Sequence, residues 1–517
     1  MNRPEENLPA AAVGEKDSCT CGLRSLRRHF GFFGGLSALY ALFYTFCIYR
    51  NGSGITYPFF AAGTFVYFGL CMKKSGVPWK KGSIFYAASI LLLAVSVCLT
   101  DNLFIHALTR ACILLLVIVL MLHQFLDDSR WDFTSFLTAI GQGILETIAC
   151  LWDPVSDGNA WLKSREENGQ RGRMRYVLLG LLLLVPLLTV VVLLLMSADP
   201  VFFELLTGFF TRIKGEDLIG MFFLTLGMFL ASYCFTAMLD KGMIRVKGGE
   251  KGTREPAVAV TVTGVLTAVY LLFCGIQIYC LFLGKGTLPE GYTYSSYARQ
   301  GFFQLLAVCL INLALVLICL RMFRESRALK GILTVLSVCT YVLAASSAWR
   351  MLLYIQEYRL TFLRFLVLWA LAAIAVLLTG IVAGIHRPGF PLFGFCAAAV
   401  TVCCIFLAYV QPDYWIARYN VSSLQAQENA GEQVREPDLR YLASLSADAA
   451  PVLASGENYR IFAEYSAEMR LYYEEVEEKA EKMGPRSFNL SRFRAGRAVK
   501  TVSENTQNNG SIGKYTG

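Results

Sequence analysis

Eleven apolar blocks, separated by short polar loops, restrict this chain to a helical bundle in a membrane. A helix needs roughly 20 apolar residues to cross a hydrocarbon core about 30 Å thick. Residues 30–49, 54–72, 83–100, 103–122, 176–196 and 218–239 meet that requirement to within a few residues, as do 257–283, 301–322, 332–355, 362–385 and 390–410. Only residues 101–102 separate the third block from the fourth. Repeated segments of this length fold as helices because a helix satisfies all its backbone polar groups internally, which lipid cannot do. Composition points the same way. Charged residues are 16% of the chain, whereas soluble domains carry about a quarter. The expected class is an all-α, polytopic membrane protein of about eleven transmembrane helices with a small helical tail.

Lys and Arg alternate between loops. The lead, 1–29, has five, the loop after the second span has four, residues 130–175 have six, 241–254 five and 321–330 four. The intervening loops have two or fewer. Such a bias places basic loops in the cytoplasm, so the N-terminus is expected inside and the C-terminus outside. The net charge of +9 is thereby explained by topology, and no nucleic-acid partner is implied. A polar, basic lead before a full-length first span suits an uncleaved signal anchor rather than a cleaved signal peptide.

The expected organisation is a cytoplasmic lead (1–29), a transmembrane domain (30–410), an extracytoplasmic helical module (411–500) and a disordered end (501–517). Within residues 131–152, Phe133, Phe136, Leu137, Ile140, Ile144, Ile148 and Leu151 recur at helical spacing, with Gln142 and Glu146 opposite. This pattern suits a helix lying on the cytoplasmic face; a weak twelfth span is the alternative. Residues 201–210 suggest a similar helix on the outer face. In the tail, Asp438 is placed to cap a helix beginning at Leu439, and a longer helix is expected over 457–483.

Sixteen cysteines resemble a disulfide framework by number only. Thirteen lie in or beside apolar spans, where a thiol behaves as a small hydrophobe. Cys19 and Cys21 have no second pair or histidine cluster to complete a metal site. The chain has no H-E-x-x-H, G-x-S-x-G or P-loop pattern, and its four histidines leave little for Ser/His/Asp catalysis. No cofactor or metal is expected.

The residues from Ala348 to Phe365, AWRMLLYIQEYRLTFLRF, carry four charges between two apolar blocks. Arg350, Tyr354 and Glu357 follow i, i+4, i+7 spacing and share a helix face. Arg364 begins the returning span. Arg110 lies about 10 Å into its span, where an unpaired charge is costly; it should have an acidic or backbone partner. Asp199, Asp413 and Arg418 belong to the same outer surface. Two readings remain open for these eight residues. They either anchor helix ends and pair across helices, with Arg110, Arg350 and Glu357 in one network, or line an outward polar cavity for an anionic or headgroup ligand.

Six stretches together resemble an uncharacterised family of bacterial multi-pass membrane proteins, domain of unknown function 4173, related to the 4153 group. They are SADPVF (197–202), LPEGYTYSSYARQGFFQL (288–305), MLLYIQEYRLTFLR (351–364), QPDYWIARYN (411–420), DLRYLASLSADAAPVL (438–453) and RSFNLSRFRA (486–495). Arg359 stands where that pattern has glycine, Gln411 where it has asparagine, and Pro485 where it has tryptophan. The N-terminal third has no assignable motif. The resemblance implies a multi-pass protein of the bacterial cell membrane and implies no activity. All six stretches fall outside or in the outer half on the topology derived from Lys and Arg. The leading expectation is a non-enzymatic envelope sensor, scaffold or partner subunit, in contact with membrane lipids and an envelope protein. A transporter or lipid translocator is the second reading, and a membrane-embedded transferase the third.

Overall fold

The computed structural model describes residues 26, 29–126, 131, 133–167, 187, 191, 194–199, 215–244, 246, 252, 254–279, 301–387, 389–429, 436–455, 458 and 467–512. Among the described residues there are seventeen α-helices and no strand; a lone bridge pairs Arg254 with Phe323. The first group is α1 (Phe30–Ile48), α2 (Thr56–Ser75), α3 (Ser83–Ser96), α4 (Leu103–Phe125), α5 (Phe133–Ala149), α6 (Asp153–Glu167) and α7 (Gly215–Lys241). The second is α8 (Pro256–Gln277), α9 (Phe302–Met322), α10 (Arg327–Tyr358), α11 (Phe362–His386) and α12 (Leu392–Val410). The tail holds α13 (Pro412–Asn429), α14 (Glu436–Ala443), α15 (Ala450–Leu453), α16 (Ala467–Glu481) and α17 (Leu490–Ile512). The protein is a polytopic all-α membrane protein.

Among the described residues, nine helical stretches are long and apolar enough to cross a membrane, and eight of them coincide with expected spans. The expected fifth span, 176–196, lies largely outside the described residues, as do 201–210. The expected third span is shorter than anticipated. Its helix has 14 residues and stops at Ser96, a length of about 21 Å. The apolar residues beyond it, Val97 and Cys98, are buried beneath the tail, whose Leu490 N–H bonds the Cys98 carbonyl. Burial by protein, not by lipid, accounts for the apolarity of 97–100. Conversely, α10 runs for 32 residues, about 48 Å, and carries its last turns out to the tail.

Contacts fix which helix ends lie together. Arg50, just after α1, pairs with Asp217 in the first turn of α7 at 2.7 Å. Gln277 at the end of α8 and Gly301 before α9 both meet Arg350 near the end of α10. Residues 49–55, 97–102 and 359–361 all bond to the tail. Residues 76–82 meet the end of α4 at the other end of the bundle, where Lys80 donates to the carbonyls of His123 and Leu126. The bundle therefore has a tail end and an opposite, free end.

The ninth stretch, 133–161, passes the length criterion yet keeps both its ends at the free end. Phe136 stacks on Phe393 at the start of α12, with ring centroids 3.8 Å apart. Lys241, the last residue of α7, pairs with Asp153 at 2.6 Å, and Trp161 packs on Phe30 at the start of α1. The face buried against the bundle carries Ser135, Phe136, Ala139 and Gly143. Phe133, Leu137, Ile144 and Ile148 point outward. Among the described residues, the contacts at both ends of the stretch thus lie at one end of the bundle.

Among the described residues, two half-bundles make up the membrane part. One core joins α1–α4 with α7; the other runs through α8–α11. Helix α12 ties them, since Tyr409 donates to the Leu92 carbonyl at 2.9 Å and the Trp369 indole of α11 donates to the Cys403 carbonyl at 2.9 Å. The tail has a separate core of buried residues from Ile416 to Val499, including Leu442, Leu453, Met469, Tyr473 and Ala495. Two local expectations are corrected there. Asp438 lies inside α14, which begins at Glu436, and its carboxylate bonds Arg359 in place of a cap. Residues 501–512, expected without structure, continue α17 to Ile512; no proline interrupts the segment.

Candidate functional site

The most concentrated set of buried polar groups lies where the tail meets residues 97–102. Four consecutive carbonyls there face donors from the C-terminal part of the chain. Val97 and Thr100 accept from the Asn489 amide at 3.3 and 2.9 Å. Cys98 accepts from the Leu490 N–H at 2.8 Å, and Leu99 from the Gln411 side chain. Buried carbonyls must be satisfied, and this loop obtains its donors from residues some 300 to 400 positions away.

Three carboxylates add a second layer. Asp413 is buried and accepts from Asn102 at 2.8 Å and from the Ser446 hydroxyl at 2.6 Å. Asn102 also caps α4, its side-chain oxygen accepting from the Ile105 N–H. Asp448 accepts from the hydroxyls of Thr100 and Ser491 and, at 2.8 Å, from the Asp101 N–H. Asp101 in turn pairs with Arg492 at 2.6 Å. Burial is the largest influence on Asp448, and it pushes this carboxyl up to about 6 despite its three donors. Tyr472 donates to the Ser446 carbonyl beside them, and burial raises its phenol well above the ordinary range. His106 closes the site from α4, its ring nitrogen 2.9 Å from the Thr100 carbonyl.

A second fastening holds residues 358–364. Arg359 has φ +66° and ψ 175°, a region used almost only by glycine. Its guanidinium bonds Asp438 at 3.0 Å and also Gln427. The Leu360 N–H donates to Asn420 at 3.0 Å, and Asn420 returns a bond to the Leu360 carbonyl at 2.8 Å. Arg364 donates to the carbonyls of Tyr358 and Arg359 and lies 4.1 Å over the Tyr354 ring. A third fastening joins 49–55, where Arg486 donates to the Tyr49 carbonyl and Asn51 donates to the Arg486 carbonyl.

The eight residues singled out from sequence are dispersed. Asp413 sits in the junction; Tyr354 lies near the end of α10 and Arg364 in the first turn of α11. Arg418 faces outward over Trp415. Arg110 donates to the Gly52 carbonyl, the backbone partner its depth required. Arg350 is buried and donates to Gln277 at 3.0 Å. Glu357 is exposed and has no ion pair among the described residues, so the expected network of Arg110, Arg350 and Glu357 is absent there. Arg350 turns into the bundle toward Gln277, while Glu357 stays at the surface. Asp199 bonds the Leu195 carbonyl through its N–H, and 200–214 lie outside the described residues.

Sequence reasoning did not single out Thr100, Asn102, Asp448, Asn489, Ser491 or Arg492. Asp448 and the last three do fall in the stretches 438–453 and 486–495, but their partners at 97–102 carry no recognisable pattern. The family described as a domain of unknown function (DUF4153) matches residues 87–456. The chain belongs to the DUF4153 family. The DUF4153 match spans α4 to α15 and includes Thr100, Asp413 and Asp448. No curated protein and no solved structure matches the chain.

Proposed function

We propose that this DUF4153 protein is a cell-envelope sensor, scaffold or partner subunit that acts through its tail end, with residues 411–500 as one extracytoplasmic module and the N-terminus in the cytoplasm. The six motif stretches support placing it in the related 4173 group as well. The observation that carries the functional reading is the triple fastening of the tail. Residues 49–55, 97–102 and 359–361 are each bonded to it by buried or half-buried polar groups. A module so tied to both half-bundles converts a shift between them into a change of its own exposed surface, or the reverse. Membrane lipids surround the bundle, and an envelope protein is the partner class proposed for the tail.

Transport is the second reading. It is favoured by a buried polar column between α8, α9 and α10, in which Asn312 bonds Thr340, while Ser346 and Arg350 both donate to Gln277. Reconstituted vesicles separate the two readings. Labelled phospholipid should cross membranes containing the protein no faster than protein-free ones. A faster rate that Arg350→Met abolishes would favour the translocator. In cells, a photo-crosslinker at the exposed tail residue Leu471 should give a discrete adduct, lost when Asp448→Lys disrupts the junction.

A further inference from the structure

The exposed side of α17 has a chemistry that the junction does not use. Phe493, Arg497 and Lys500 follow i, i+4, i+7 spacing, and Arg494 stands one turn before Arg497. All four are exposed, while Ala495 and Val499 on the other side are buried in the tail core. The tail's described ion pairs lie elsewhere, at Arg359–Asp438, Arg440–Glu468, Lys479–Glu475, Lys482–Glu478 and Arg492–Asp101. Arg494, Arg497 and Lys500 belong to none of them.

A separate contact sets the level of this face relative to lipid. Arg486, four residues before α17, lies 5.5 Å over the ring of Phe46. Phe46 is in the last turn of α1 and is 59% exposed, so it belongs to the lipid-facing surface of a span. The helix then starts with Leu490 bonded to the end of the bundle. Phe488 and Phe493 pack together 5.8 Å apart between Arg486 and the three cations.

We propose that this face of α17 binds the headgroups of anionic phospholipids in the leaflet at the tail end. Guanidinium groups match phosphate oxygens in a bidentate fashion, an aromatic ring suits the headgroup level, and each cation near an anionic surface strengthens binding about fivefold. The lipid boundary beside Phe46 brings such headgroups to the face without any soluble ligand.

The test uses the full chain in nanodiscs, with a fluorophore on a single cysteine at Thr501 in a cysteine-free background. Brominated phosphatidylglycerol or brominated phosphatidylcholine serves as quencher. Quenching by phosphatidylglycerol should exceed that by phosphatidylcholine and weaken as salt is raised. Arg494→Gln, Arg497→Gln and Lys500→Gln together should abolish the preference and leave the melting temperature in phosphatidylcholine unchanged. Arg497→Gln alone should shift the phosphatidylglycerol titration about fivefold. Equal quenching by the two lipids, or a preference that survives the triple change, overturns the proposal. Absence of quenching in both discs also overturns it and marks the face as one for a soluble acidic partner.

Discussion

Arg359 and Gln411 stand where the resembled pattern has glycine and asparagine, and both have positive φ, +66° and +53°. Those are the two residue types that adopt such backbone most readily. Here the strain is retained and the longer side chains are used as fasteners, to Asp438 and Gln427 in one case and to the Leu99 carbonyl in the other. Arg359→Ala removes the ion pair and keeps the strain, whereas Arg359→Gly removes both. The glycine variant should therefore be more stable than the alanine variant by about 1–2 kcal/mol, read from melting in detergent; equal values would show that the turn is unstrained. Asp448 yields a pH dependence. Its carboxyl is raised from an ordinary 3.8 to about 6, so the docked tail holds a proton more tightly than the released one. That contribution is complete below about 4 and is lost as pH rises through about 6. Asp101, Asp413, Tyr472, His106 and Arg492 face the same junction, so the reading is a difference between two proteins. From pH 7.5 to pH 5 the melting temperature of the wild type should rise relative to that of Asp448→Asn, and parallel profiles would refute the assignment.

Length and apolarity identify an element that can cross a membrane, but contacts at both ends decide whether it does. The 133–161 stretch satisfies the first condition, while its ring contacts with Phe393 and Phe30 lie together at the free end. Cysteines at Gly141 and Ser156, both exposed, should then react with an impermeant reagent from one side of the membrane. Reaction from opposite sides would make the stretch a span. Helix α3 illustrates the converse. An 18-residue apolar block produced a 14-residue helix because its last residues serve as a floor for the tail.

At the scale of the whole molecule, alternation of Lys and Arg and the fastening of the tail agree on which loops lie together. Residues 49–55, 97–102 and 359–361 are three of the basic-poor loops, and all three meet the tail. A cysteine at Ser455 should label in intact cells with an impermeant reagent, and one at Glu325 should label only after the membrane is opened. The reverse pattern would invert the orientation while leaving the bundle unchanged.

The helical type, and the positions of eight of the eleven expected spans, were legible because hydrophobic length is a local property, and one block of about 20 residues is enough to specify it. Arg110 shows how far such local reasoning reaches at the site: its depth dictated that a partner exist, and the Gly52 carbonyl is that partner. Its identity was beyond reach. Asp448 shows the limit. Nothing near residue 448 signals that Thr100, 348 positions earlier, will donate to it, since polar pairing in a bundle depends on which helix ends the packing brings together. Arg350 and Glu357 share a face by periodicity, yet only packing decided that one would be buried against Gln277 and the other exposed. Apolar burial is non-directional and is encoded along the chain, whereas a hydrogen bond needs two partners within about 3 Å, and the tertiary structure alone places them there.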